Sequence, residues 1–468
     1  MRSVLQIAAA FLVVAAVSLI ARGANGQAAI PANLDLLSCS PAPCTFLPVR
    51  ASDSGKGVVN APIAANPLNS KQLLLGSSDG NCIYPIEVAF HISTDGGSKW
   101  SHYCMAPLMT PQGEEFAGGQ PMLGFDRNGI AYIAAGFGGP DTDGATAFQT
   151  SKDGVHWSPP AVAIPGSKHS KPIYGWMAID ASGQSPWVNS LYITSVFLNE
   201  PDQDENQVVV AYSHDGGATW KQVPAEPVQK APAEDSFPVL GVGSDGTIYM
   251  AWLHCLGQGQ AAHCNNGKAY IVFSKSTNGG NTWSTPNLVA EVNMPLNWTL
   301  PNTDVRVYNY PAIAVDNSNG PNAGNLYVSM YSWTGTYLRV QVVRSTDGGN
   351  TWSKPVPVAP PSENHDQFFP WLAVSPKGLV GVSWLDRRND PANVNYQAFG
   401  TISSDGGKSY HPDVQLTTAF SNPNANGNIW IGDYTGSTWA GPNNFLAAWM
   451  DNSNSYYMTD FVGGIRVK

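Results

Sequence analysis

The stretch WLDRRND, residues 384 to 390, sets two aspartates and two arginines within seven positions. An aspartate can give or take a proton at a glycosidic oxygen, and an arginine fork grips a carboxylate at two points. An Asp–Arg pair that merely braces a loop accounts for the same letters equally well. Two further stretches have similar chemistry. His365-Asp366 pairs a base with a group that could orient it, although neighbours on a strand point to opposite faces. GDY, residues 432 to 434, sets a tyrosine beside an acid; a buried tyrosine whose hydroxyl finds an internal partner is the plainer reading. Asp386, Asp366, Asp433 and Tyr434 are therefore the catalytic candidates. Arg306, Arg387, Arg388, Trp430, Tyr308, His365 and Asp235 are the candidate substrate contacts. Aromatic faces stack on sugar rings, and two carboxylates across a cleft suffice for glycoside cleavage. No Cys-x-x-Cys or histidine-rich run marks a zinc site, so neither metal nor cofactor is expected.

The elements that must position these residues follow from an internal repeat. STDGGSKW begins at residue 93, and related octamers or heptamers begin at 151, 213, 276, 345 and 403, 58 to 69 residues apart. Each reads as a tight strand-to-strand turn. Asp95, Asp153, Asp215, Asn278, Asp347 and Asp405 can accept backbone N–H groups, and the following glycines supply positive φ. Trp100, Trp157, Trp220, Trp283 and Trp352 then enter the next strand and bury a ring. The copy at 151 lacks one glycine, and the last carries Tyr410 in the tryptophan place. Before every turn lie further short apolar segments separated by Gly- or Asn-rich turns, such as FPVLGVGSDG and FPWLAVSPKG. Four antiparallel strands per repeat make a propeller blade.

The expected fold is all-β: a seven-bladed β-propeller of four-stranded blades, with a six-bladed ring plus C-terminal extension as the alternative. The last blade, residues 429–468, lacks its own turn motif, and the strand near residues 44–50 is the natural fourth strand that closes the ring. With 12% charged residues, 47 Gly and 36 Pro, the composition disfavours long helices. A net charge of −10 disfavours a nucleic-acid partner. Residues 1–27, with an apolar run followed by small residues, read as a signal peptide ahead of one domain, 28–468. The mature chain is then secreted or extracytoplasmic with no membrane span. Its six cysteines read by proximity as Cys39 with Cys44, Cys82 with Cys104 and Cys255 with Cys264. The oligomeric state is not legible.

Ser-x-Asp-x-Gly-x-x-Trp is similar to the Asp-box, or bacterial neuraminidase repeat. Over residues 60 to 410 the chain resembles the sialidase-like superfamily of secreted propellers. The resemblance implies scaffold turns on one face and function on the other. It also implies a retaining glycosidase with a tyrosine nucleophile assisted by Glu, an Asp acid/base and three arginines clamping a carboxylate. The first blade reads VVNAPIAANP, without the arginine of that pattern. Three readings follow. One is a glycoside hydrolase acting on glycans, anionic ones included. The second is a non-catalytic propeller binding glycan or protein. The third is a lyase on an acidic polysaccharide, using a Tyr or His base.

Overall fold

Each repeat supplies three hydrophobic runs and a tight turn, and each becomes one sheet. The computed structural model describes residues 36–38, 44–139, 142–199, 202, 204–256, 268–295, 298–360, 364–427 and 430–467. The expected signal peptide, Cys39 and Cys264 lie outside them. In the fourth blade Ala233–Val242, Ile248–Leu256, Lys268–Ser276 and Asn287–Asn293 pair antiparallel in chain order. We call such strands A, B, C and D of a blade. The sixth blade repeats the pattern with Gln367–Val374, Val380–Asp386, Gln397–Ser403 and Val414–Gln415.

The seventh sheet decides the count. Gly436–Trp439, Asn444–Asp451 and Thr459–Arg466 are its strands A to C, and its fourth strand is Cys44–Arg50, paired with Thr459–Arg466. The ring has seven blades, and the six-bladed alternative falls. Joining the two ends of the chain in one sheet leaves no open edge inside the ring. Cys82 pairs with Cys104 across the first blade, and Cys44 and Cys255 are also disulfide-bonded.

Strand B is buried on both faces because it lies between neighbouring blades. Val380–Asp386, for example, is buried at every position. A tryptophan fills the same place near the end of strand B in three blades: Trp252, Trp384 and Trp449 are each 1% exposed or less. A buried indole N–H needs an acceptor. Asp386 and Asp451, two residues further on, supply it at 2.8 and 3.1 Å. In the fourth blade that position is His254, and Asp235 of strand A accepts from Trp252 at 2.7 Å instead.

The repeat turns join strands C and D and lie at the ring end opposite the start of strand A. Ser345 Oγ donates to Asp347 Oδ1 at 2.7 Å, while the Gly349 and Thr351 N–H groups donate to Ser345 Oγ and Asp347 Oδ1. Gly349, at φ 86°, lies against the Phe273 ring of the preceding blade, where a Cβ would collide. Asn278 builds the same turn with its amide, accepting from Thr282 N at 3.0 Å. The shorter copy closes on Gly154 N, which donates to Ser151 Oγ.

These turns impose an acid limit. Hydrogen bonds from Thr219 and Thr351 hold the Asp215 and Asp347 carboxyls down at about 2. At Asp405 burial is the largest single influence and pushes up, but the hydrogen bonds from Ser409, Ser403 and Lys408 together outweigh it and hold that carboxyl at about 2 as well. A depressed folded-state pKa gives stability that is present above the unfolded value, about 4, and lost as pH falls toward 2. Thermal melts are expected to show a falling Tm over that window. Asp347→Asn should flatten the fall while costing little at pH 7, as Asn278 already shows that an amide can make the turn. An unchanged acid profile would remove Asp347 as a contributor.

Candidate functional site

At the other end of the ring the entry to strand A is kinked. Register breaks fall between Ile173 and Trp176, Ser236 and Val239, and Phe368 and Trp371. Inside these bulges Tyr174, Phe237 and Phe369 have φ of 53°, 58° and 48°. Bulky residues in the left-handed region carry strain of about 1–3 kcal/mol each, which persists only where the surroundings enforce it. Here the bulges turn aromatic rings inward. Phe237 lies 4.8, 5.3 and 4.1 Å from the Tyr174, Tyr308 and Tyr310 rings, making an aromatic floor.

Above it opens a cavity of about 850 Å³, whose polar and aromatic lining includes Tyr84, Glu87, Lys171, Tyr174, Arg306, Tyr308, Trp430 and Asp433. The central contact is a fork. Arg306 Nε and Nη2 donate to Asp433 Oδ1 and Oδ2 at 3.0 and 2.8 Å. Its guanidinium carbon lies 4.9 Å from the Tyr308 ring and 5.0 Å from the Trp430 ring. The Arg306 side chain is 40% exposed and that of Asp433 only 5%. The arginine therefore faces the cavity, and the aspartate orients it. Asp433 also accepts from Trp430 Nε1 at 3.1 Å, while its own N–H donates to Asn60 Oδ1 at 2.8 Å. Burial pushes the Asp433 carboxyl up, and the Arg306 charge pulls against it.

Glu234, at the start of strand Ala233–Val242, lies near enough that its charge helps raise the phenols of Tyr174 and Tyr308, for which burial is the main cause. The sequence places Tyr174 and Glu234 among the residues just before a strand A that line the ring's mouth, without giving either a catalytic or binding role. The signal available was only their place just before strand A. Tyr434 lies beneath the floor, 1% exposed, with its hydroxyl donating to Pro121 O at 3.3 Å.

The remaining sequence candidates fall outside the cavity. Asp386 is saturated by Trp384 Nε1, Arg388 N and Arg388 Nη2, and Arg388 also pairs with Asp413 at 2.6 Å. Asp366 and Arg387 form a pair at 3.2 Å with both side chains fully buried. Arg387 Nη1 donates as well to Pro301 O and Asn393 O, and Asp366 Oδ1 accepts from Leu338 N. Of the two readings of WLDRRND, these contacts are those of the brace. The brace reaches the site nonetheless. Pro301 is in the tip of a loop closed by Val307 N to Trp298 O and Leu300 N to Val305 O, and that loop carries Arg306. Arg387 is thus a positioning residue. His365 is half-buried with an unpaired, buried Nδ1.

Asp235 lies in a separate buried cluster, accepting from Trp252 and paired with His254 Nδ1 at 2.9 Å. Burial first, then the Asp235 charge, push the Glu226 carboxyl up to about 9. The Asp235 side chain therefore favours the protonated form of Glu226.

No protein-family model matches the chain, and neither does any curated protein. Solved structures do. An ulvan lyase is 13% identical, with 88% of this chain and 95% of that one covered and a TM-score of 0.54. The intramolecular trans-sialidase from Ruminococcus gnavus is 14% identical, over 77% of this chain and 97% of its own, with a TM-score of 0.48. An α-L-arabinanase from Penicillium chrysogenum is 14% identical, over 74% and 94%, with a TM-score of 0.49. At these identities the likeness is one of fold, here a seven-bladed β-propeller. Among the described residues one arginine, Arg306, lines the cavity, and Arg387 and Arg388 are committed to internal pairs. Among the described residues no helix is long and apolar enough to cross a membrane.

Proposed function

We propose that this protein is a secreted, carbohydrate-active propeller that binds an acidic glycan in the Arg306 cavity and cleaves it as a glycoside hydrolase. The observation that supports the reading is the Arg306–Asp433 fork held between Tyr308 and Trp430. A guanidinium oriented by a buried carboxylate presents its remaining N–H groups to a sugar carboxylate, and the flanking rings offer stacking faces. Tyr308 is the nucleophile in this reading, and Glu234 takes the phenolic proton as the oxygen attacks the anomeric carbon. Glu87, exposed on the wall of the first blade, gives a proton to the departing oxygen. The bulk of the glycan lies along the aromatic rim.

A second reading has its own observation in favour: a single cavity arginine is enough to neutralise a uronate for a lyase, with Tyr174 or Tyr308 as base. The test is incubation of the purified chain with a panel of acidic and neutral glycans. Hydrolysis predicts new reducing ends without ultraviolet absorbance, whereas elimination predicts an absorbing unsaturated end with each cut. Binding without turnover on every acidic glycan would leave the cavity a recognition site and end the hydrolase reading.

A further inference from the structure

Strand B of the first blade, Asn69–Asp79, ends on a buried aspartate whose two oxygens are treated very differently. Asp79 Oδ1 accepts from Asn81 N and Nδ2 at 2.7 and 2.8 Å. Asp79 Oδ2 is buried and has no hydrogen-bond partner, although the side chain is wholly enclosed. A buried anionic oxygen without a donor is costly and calls for a missing ligand. Two imidazole nitrogens face it: His91 Nε2 at 3.6 Å and His102 Nδ1 at 3.6 Å. The ligand atoms of the three residues lie within 4.8 Å of one another. Asp53 Oδ2 lies 3.8 Å from His102 Nδ1, on the exposed side of the cluster.

These separations are too long for hydrogen bonds. They match the edges of a coordination tetrahedron: bonds of about 2.0–2.2 Å to N and O ligands set neighbouring ligand atoms about 3.3–3.6 Å apart. Ser77 Oγ donates to buried Asp460 and lies 3.0 Å from the same His91 Nε2, so metal binding would exchange that histidine hydrogen bond for a bond to the ion. The cysteines beside His102 are closed into a disulfide and are not ligands.

The geometry points to a divalent transition-metal site of the Zn²⁺ class, with Asp79, His91 and His102 as its three protein ligands. Two imidazoles with one carboxylate suit such an ion better than Ca²⁺ or Mg²⁺, which take oxygen ligands. Its place gives it a use. Asp460, which bonds Ser77 beside His91, is in strand C of the seventh blade, so the site abuts the ring's seam. Asp79 also begins the connection that delivers Tyr84, Pro85 and Glu87 to the cavity wall.

The test uses the full chain, freed of metal by a chelator and then titrated with Zn²⁺ or Co²⁺. About one ion per chain should be retained, Tm should rise on adding Zn²⁺, and Co²⁺ should give the visible absorption of a tetrahedral N/O site. Asp79→Asn and His102→Ala should each abolish the ion, the absorption and the chelator sensitivity of Tm. His102 is partly exposed, so its variant is expected to fold, and circular dichroism checks this. Absence of stoichiometric binding by the native chain, with no Tm response to Zn²⁺ or Co²⁺, would overturn the site. Undiminished binding by a folded His102→Ala would do the same.

Discussion

Asp366→Ala is expected to lower the unfolding free energy by about 3–5 kcal/mol, a large share of the roughly 5–15 kcal/mol that a domain has in hand. The substitution leaves Arg387 fully buried with a charge and no carboxylate beside it. Burial already pushes Asp366 up and Arg387 down toward their neutral forms, so attraction between the two does not fully offset their desolvation. The value of the pair lies in what it fixes. Together the two side chains hold Leu338 N, Pro301 O and Asn393 O. Denaturant unfolding should show a lower midpoint at constant slope. Replacing both members together, Asp366→Leu with Arg387→Met, should recover much of the loss, since an apolar pair carries no unpaired charge. If the double replacement is no better than Asp366→Ala alone, the cost comes from packing rather than from the stranded arginine.

The second large effect concerns recognition. Arg306→Ala should weaken binding of an acidic oligosaccharide by about 10²–10⁴-fold, from the loss of two charge-assisted hydrogen bonds worth about 1.5–3 kcal/mol each. A neutral oligosaccharide should lose far less, which separates carboxylate recognition from a damaged cavity. Arg306→Lys should recover only part of the affinity, because an ammonium lacks the planar fork. Asp433→Asn should act in the same direction but more weakly: the guanidinium stays, and its orienting carboxylate is gone. Titration calorimetry at two salt concentrations reads all four. Equal losses for acidic and neutral ligands would sink the assignment of Arg306 as the carboxylate contact.

The candidate site was only partly legible, and the pattern of success has a physical basis. Residues just before a strand A are placed at the ring's mouth by the repeat itself, and Arg306, Tyr308, Trp430 and Asp433 do meet there. Residues at the end of strand B are a different matter. Asp386 shares its place with Asp451, and both serve a buried indole two residues back. The recurring tryptophan, not the charge density of WLDRRND, was the informative letter. Lys171, on strand Ser170–Ile179, and Glu87, in the first blade, come from separate blades, and no local pattern reports that they converge. Asp79, His91 and His102 escaped for the same reason: they adjoin across strands B, C and D, with none of the close spacing that marks a zinc motif.

By itself the sequence determined the four-stranded blade and the place of the turns, and left the count between six and seven. Each follows from interactions within a few residues, with the turn repeated six times: alternation of apolar positions, a carboxylate or amide capping a turn, a glycine free to take positive φ. It also implied the closing strand, because a seventh blade lacking its fourth strand has one free N-terminal segment to take it. Only the tertiary structure decided which charged groups face water and which face each other. Burial and partner choice depend on contacts between residues as distant as Arg306 and Asp433, and no spacing along the chain encodes them.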